Sequence, residues 1–420
     1  MLQTGIMLSA SLLLRTGSMI NPQHAFDLSD QTLAGRTILQ IVPALHSGGA
    51  EQACLDIAAA LASVGARGLV ASSGGRLVSE LQAKGGLWTP FPAATKNPIE
   101  MMLNIARLTQ ILKIEQVNLI HARSRAPAWA AYYAARRAGI KFVTTYHSSY
   151  AASSPIKLHY NSIMASGDVI IANSQYMARR IKELYPAAQD RITVIPRGID
   201  LKVFCPAQIT LSRVQRLRDQ WGVSSHERIL LMPARLSARK GHETLIEAIK
   251  LLLSQGLSKD LRVIIAGDAH SKSFCKMLEM QIMRADLTPI IQCVGHCEDM
   301  PAAYLSAACV VAPAIVPEAF GRVGVEAQAM GAPVIISDIG AASEIIPGSL
   351  RPPTQMATGW RVPPGNAAAL ASAIQEALSM QASARQTLSH YAREHVHKNF
   401  SIEKMQQSTL DVYRALLKDF

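Results

Sequence analysis

The stretch Pro317-Glu-Ala-Phe-Gly-Arg-Val-Gly-Val-Glu326 holds the residue types in this chain best suited to chemistry. Glu318 falls in a loop after the apolar run at Val310, and Glu326 falls about one turn into the helix that follows. Both can therefore face one cleft from different depths. A carboxylate accepts from two hydroxyls at once, which suits a sugar. Gly321 and Gly324 expose backbone amides at the start of that helix, where a phosphate is attracted. Two glutamates could also be the acid/base pair of a glycoside hydrolase. Diphosphate-binding features elsewhere in the chain favour transfer instead.

Those features begin with Arg235 and Lys240, in Pro233-Ala-Arg-Leu-Ser-Ala-Arg-Lys-Gly241. Two cations after a strand and beside a helix start form a clamp for a diphosphate, with plain surface charge as the competing reading. Gly48-Gly49-Ala50-Glu51 follows the first strand and opens a helix, so backbone can approach a ligand closely there. It is not the G-x-G-x-x-G of a dinucleotide site, and an ordinary strand-to-helix turn fits it as well. His147 directly follows a strand, where either a cleft residue or a packing histidine would stand. His121 ends another strand, and Arg123 and Arg125 follow it as either a solvated loop or a bidentate grip on an anion.

The elements that must position these residues alternate. Apolar, β-branched runs at 36–42, 117–121, 142–146, 169–172 and 192–195 read as buried strands, separated by helices such as 50–64, 126–137 and 175–184. The pattern restarts with strands at 229–232, 263–266, 290–294, 310–312 and 334–336. Two βα arrays of similar size predict an α/β protein of two doubly wound, Rossmann-like domains facing a cleft. In such sheets ligands bind beyond the carboxyl ends of the strands. The expected division is a leader over 1–35, a first domain over 36–199, a connector over 200–226, a second domain over 227–398 and a last helix within 399–420, long enough to lie back on the first domain.

The 420 residues are 49% apolar and 17% charged, enough for packed cores. The net charge of +12 is uneven: residues 1–200 carry 19 basic and 11 acidic side chains. That half favours phosphates or anionic lipid. No basic-aromatic stripe or nucleic-acid module accompanies it, so nucleic acid is not expected. The six cysteines are too scattered for a disulfide framework, and Cys293 and Cys297 lack a second ligand pair for zinc. A reducing cytoplasm fits. The apolar run 5–14 is too short to span a bilayer and lacks the flanks of a signal peptide, and no later run reaches spanning length.

Glu318 and Glu326 with their seven-residue spacing, Gly48-Gly49, Arg235 with Lys240, and Thr358-Gly-Trp-Arg-Val-Pro-Pro-Gly365 together resemble glycosyltransferase family 4, retaining enzymes of GT-B fold. The resemblance runs from about residue 36 to 418. His121-Ala-Arg-Ser-Arg-Ala-Pro-Ala-Trp129, Pro196-Arg-Gly-Ile-Asp200 and the stretch from Glu318 to Met330 are most similar to members assigned to lipopolysaccharide-core or related surface-glycan assembly.

The resemblance implies that Arg235 and Lys240 bind the donor diphosphate, Glu318 the donor sugar and Glu326 the ribose. His147 would stand near the anomeric centre. Gly48, Gly49, Phe320, Gly321, Arg322 and Val323 would complete the donor site, and Glu51, Arg123 and Arg125 would meet the acceptor. No cofactor and no metal is implied, and the chain holds no Asp-x-Asp. The partners implied are a nucleotide-sugar donor, a glycan or lipid-linked glycan acceptor and the inner face of an anionic membrane. Many relatives carry two glycines where this chain has Gly340-Ala341. A nucleotide-sugar epimerase, a sugar phosphorylase and a catalytically silent nucleotide-sugar scaffold are the rival readings.

Overall fold

A computed structural model describes residues 33–46, 48–95, 97–148, 150, 154–256, 260–269, 271–348 and 357–418. The first sheet is made of β1 (Thr37–Ile41), β2 (Arg67–Ser72), β3 (Leu87–Pro90), β4 (Leu119–Ala122), β5 (Lys141–Tyr146), β6 (Val169–Ala172) and β7 (Ile192–Val194). The second is made of β8 (Arg228–Pro233), β9 (Leu261–Ala266), β10 (Ile291–Gly295), β11 (Ala307–Ala312), β12 (Val334–Ser337) and β13 (Trp360–Val362). Their orders are β3-β2-β1-β4-β5-β6-β7 and β10-β9-β8-β11-β12-β13, and the pairs are parallel throughout. Both sheets reverse direction beside their first strand, between β1 and β4 and between β8 and β11. Ligand crevices form at such switch points. Gly48-Gly49 follows β1 and Arg123 follows β4; Arg235 and Lys240 follow β8 and Glu318 follows β11.

Helices cover both faces, as buried parallel strands require. They are α1 (Gly49–Ser63), α2 (Val78–Ala83), α3 (Pro98–Ile114), α4 (Arg125–Ala138), α5 (Pro155–Ser162) and α6 (Gln175–Leu184) in the first array. The second array has α7 (Leu211–Gln220), α8 (His242–Ser254), α9 (Lys272–Arg284), α10 (Met300–Ser306), α11 (Arg322–Ala329), α12 (Ala342–Ile345), α13 (Ala367–Leu378) and α14 (Ala382–Asn399), and α15 (Ile402–Leu417) ends the chain. α15 lies against the first domain: Met405, Leu410, Tyr413 and Leu417 pack on Ile38, Ile57 and Leu61. The chain crosses between the domains twice, and the crossings are zipped together. Ile199 N–H donates to Phe400 O at 2.9 Å and Ile402 N–H to Ile199 O at 3.0 Å.

Two readings of the sequence need adjusting. Residues 1–32 of the expected leader lie outside the described residues, but Leu33 is fully buried beside α15, so the first core begins there. The connector carries a helix, α7, and is also packed. Leu217, Trp221 and Val223 join the core of the second domain, and Arg213 grips Asp299 through Nε at 2.9 Å and Nη2 at 2.7 Å. Strands β2, β3 and β13 were not among the expected runs. β3 is a half-exposed edge ending in proline, and β13 has only three residues.

His242 opens α8, buried against the ring of Phe274 and facing Ser237 O at 3.2 Å from Nδ1. Burial pushes its imidazole down to about 4. The unfolded ring titrates near 6.5, so acid protonates the unfolded chain first. The stability this neutral ring supports is complete above that value and drains away as pH falls toward the folded value. Thermal unfolding should therefore shift to lower temperature between pH 7 and pH 4.5. A His242→Phe protein should show a visibly shallower fall over the same window in scanning calorimetry.

Candidate active site

In the second domain, glycine backbone sets the distances. Gly241 has φ +77°, and a Cβ there would overlap the carbonyl oxygen of Pro313. The loop after β8 thus rides directly on the loop after β11, and Ile315 N–H donates to Arg239 O at 3.0 Å. The consequence is a direct ion pair between Lys240 Nζ and Glu318 Oε1. Each side chain is about 30% exposed, so the pair stays open to solvent. Arg235 is exposed on the same loop. The main chain of Glu318 is held from behind by Gly340, at φ +68°, and by Ala341 N–H, which donates to Glu318 O at 3.2 Å. The Ala341 side chain is buried.

Across the cleft, Ser174 Oγ donates to Ala319 O at 2.6 Å. The Glu344 carboxylate accepts from the first amides of α6, Gln175 at 2.7 Å and Tyr176 at 2.8 Å. An anion at a helix N-terminus is favoured, and here it ties the two domains together.

Glu326 is buried on α11, and both its oxygens accept hydrogen bonds. Arg322 donates to its Oε1 through Nε at 3.0 Å and Nη2 at 2.7 Å, and the Tyr304 hydroxyl donates to Oε2 at 2.8 Å. Burial and the neighbouring Glu326 hold the Tyr304 phenol well above its ordinary pKa, so it stays a donor. Oε2 keeps capacity for one more hydroxyl. Gly321, at φ +95°, caps the N-terminus of α11 and leaves its amides open. Val323 is half-buried on the same turn. Phe320 packs its ring edge-on to Phe400 at 5.5 Å and also lines a small cavity with Glu318, Gly321 and Val323.

In the first domain, Gly48 caps α1 with φ +148°, and the Glu51 carboxylate folds back against it, serving its own helix rather than reaching across the cleft. Arg123 is also turned inward. It is 4% exposed and donates from Nε to Gln40 Oε1 at 2.8 Å. Arg125 is held by Asn161 Oδ1 at 2.7 Å and lies over the Tyr150 ring at 4.2 Å. None of these three lines the cavity beside the glycine turn. His121 is internal as well, bridging the Tyr413 hydroxyl and Thr145 Oγ1 at 2.6 Å each. His147 receives Nη2 of Arg197 on Nδ1 at 2.9 Å. Burial, then Arg197, Arg123 and His121, hold its pKa well below the usual imidazole value.

A cavity of about 410 Å³ opens beside the glycine turn, lined among others by Gly48, Gly49, Asp56, Lys84, Arg197 and Arg322. Arg197, Tyr304, Ser174 and Glu344 were missed as site residues. The only available signal was Pro196-Arg-Gly-Ile-Asp200, whose arginine carried no role. All six cysteines are free thiols.

Two parallel α/β domains that bring a glycine turn, a lysine–glutamate pair and a second, buried glutamate to facing switch points define a GT-B glycosyltransferase architecture. The chain matches Glycosyltransferase Family 4 over residues 47–203 and Glycosyl transferases group 1 over residues 214–395. It is 34% identical to a glycosyltransferase from Rickettsia africae of known structure, with a TM-score of 0.82 over 92% of this chain and 99% of that one. The chain therefore belongs to the glycosyltransferases, with a family 4 first domain and a group 1 second domain.

HepE from Anabaena, solved with UDP-glucose, shares the fold at a TM-score of 0.76 and 24% identity, over 90% of this chain and 99% of that one. A D-inositol 3-phosphate glycosyltransferase of Nocardia farcinica is 31% identical over 44% of this chain and 40% of its own length. One from Saccharomonospora viridis is 26% identical over 61% and 58%. The chain thus spans about half the length of these curated relatives.

Proposed function

We propose that the protein transfers a hexose from a nucleotide-sugar donor to an acceptor hydroxyl, with retention of anomeric configuration and without a metal ion. The observation that carries this reading is the Lys240–Glu318 pair at the mouth of the second domain, beside the open amides of α11. Breaking a sugar–phosphate bond builds negative charge on the diphosphate. Fixed cations and helix amides aimed at the leaving oxygens offset it. Lys240 and Arg235 supply the cations in place of a metal, and Glu318 accepts hydroxyls of the sugar while Lys240 holds the phosphate. Retention follows from attack on the face the diphosphate leaves, with the departing oxygen taking the acceptor proton. The donor is a UDP- or GDP-hexose, GDP-mannose among them.

The acceptor is a surface glycan of lipopolysaccharide-core type, met at the cytoplasmic face of an anionic membrane. The wording of residues 121–129 and 196–200 and the basic first domain support this. A sugar phosphate is the second reading. It is favoured by Arg76, Lys84, Arg197 and Arg322, which all line the main cavity, and by the similarity to D-inositol 3-phosphate glycosyltransferases.

Calorimetric titration of UDP, GDP and ADP into the metal-free protein tests the donor site. One nucleotide should bind clearly best, and Glu326→Ala should weaken it about 10-fold or more, as expected for losing a charge-assisted hydrogen bond. Binding of none of the three would overturn the transferase reading.

A further inference from the structure

Of the two glycines in the turn after β1, only Gly48 has a left-handed φ. Gly49 has no backbone reason to lack a side chain. Its reason is spatial: the place its Cβ would occupy is filled by Nη1 of Arg197. Arg197 is delivered there by the crossover. Gly198, the next residue, lies so close to Ile402 that a Cβ would overlap its backbone, and Ile199 is bonded on both sides to residues 400 and 402. The guanidinium is thus fixed between three structures: the glycine turn, the interdomain crossing and the end of β5.

At the end of β5 it meets His147. Nη2 donates to Nδ1 at 2.9 Å and to the His147 carbonyl at 3.3 Å. A guanidinium has only donors, so Nδ1 carries a lone pair. The ring is neutral, held so by burial and by the cations Arg197 and Arg123 with His121 nearby. Its one proton therefore sits on Nε2. That nitrogen is buried and has no hydrogen-bond partner. A buried N–H without an acceptor is costly, and a ligand oxygen removes the cost. Glu51 offsets the Arg197 charge only at longer range, and the cation itself is lowered to about 10 by burial and by Arg322 and Arg123. An arginine kept under these conditions is held in place by its contacts and not by an ion pair.

We propose that Arg197 is a positioning residue that fixes His147 as the Nε2–H tautomer, so that the ring offers the donor sugar a hydrogen-bond donor and not a base, and that Gly49 is glycine in order to admit the Arg197 guanidinium. The sugar as ligand rests on the function proposed above; the tautomer and the packing do not. His147 then stabilises an oxygen of the donor sugar and takes no proton during transfer.

The test uses the full chain with UDP and GDP, and reads nucleotide release from the corresponding nucleotide-hexose, a turnover that needs no added acceptor. Histidine-selective nitrogen–proton correlation spectra of the wild type should show His147 with a lone pair on Nδ1 and the proton on Nε2. In Arg197→Met that signature should collapse to a tautomer mixture. Gly49→Ala and Arg197→Met should each lower turnover roughly 10- to 100-fold, and the double variant should be no slower than the worse single one, because both remove the same contact. A proton on Nδ1 in the wild type, or losses that multiply in the double variant, overturns the inference while nucleotide binding still stands. Absence of nucleotide binding by the wild type overturns the function instead and leaves the spectra to judge the tautomer. Removing a cation that has no close carboxylate is not expected to unfold the protein, and the wild-type spectrum decides the central point without any variant.

Discussion

Lys240→Met should lower turnover of the donor about 100- to 1,000-fold and leave the fold intact. The size of the effect follows from what Lys240 faces when the bond breaks. The diphosphate gains charge as the sugar leaves, and a fixed ammonium at the leaving oxygen stabilises that state more than the ground state. The small cost to stability follows from exposure. With both partners of the Lys240–Glu318 pair about 30% exposed, solvent screens the attraction. Such a pair contributes about 1 kcal/mol or less. Lys240→Arg should recover part of the rate, since charge matters more than hydrogen-bond shape for a point contact with phosphate. Glu318→Gln separates the partners. It keeps the cation but halves the capacity to accept from sugar hydroxyls, so it should raise KM for the nucleotide sugar more than it changes nucleotide affinity. Stopped-point assays of nucleotide release with parallel thermal unfolding read both quantities. An unchanged rate in Lys240→Met would remove Lys240 from the chemistry and leave Arg235 and the α11 amides to carry the leaving group.

Much of this site was legible in the sequence because the residues that line it follow strands. A buried parallel strand announces itself by β-branched apolar residues, and doubly wound topology sends whatever follows it to one edge of the sheet. Gly48, Lys240 and Glu318 accordingly follow β1, β8 and β11, and Glu326 lies in the first turns of α11. That reasoning failed where direction, not position, decides. Arg123 follows β4 as the rule demands, yet its side chain turns under α1 to Gln40, a residue whose inward orientation on β1 no local pattern shows. The contacts that join the domains were invisible for another reason. Ser174 meets Ala319 and Glu344 meets Gln175 across far-separated parts of the chain, and each residue by itself reads as an ordinary helix cap or surface acid. Arg197 combined both difficulties. Its side-chain direction is set by a crossing of two distant segments, and its partner glycine looked like a generic turn.

Gly241→Ala should damage both stability and turnover, and a second glycine shows how to separate the causes. At φ +77° an alanine is strained by about 1–2 kcal/mol. Gly256, at φ +83°, carries the same strain with open space around its missing Cβ. Gly256→Ala should therefore lower the unfolding temperature modestly and leave catalysis alone. At Gly241 the added methyl also meets the carbonyl oxygen of Pro313, which is backbone and cannot rotate away. The loop after β8 must then lift off the loop after β11. That movement breaks the Arg239–Ile315 hydrogen bond and draws Lys240 away from Glu318. Misplacing a charge by about 1 Å can cost about 100-fold in rate. Gly241→Ala should thus lose at least that much turnover, together with more stability than Gly256→Ala loses. If the two alanine proteins proved equally active, the close riding of one loop on the other could not be what holds lysine and glutamate together, and the pair would have to be placed by the clamp on the Glu318 main chain from Gly340 and Ala341 instead.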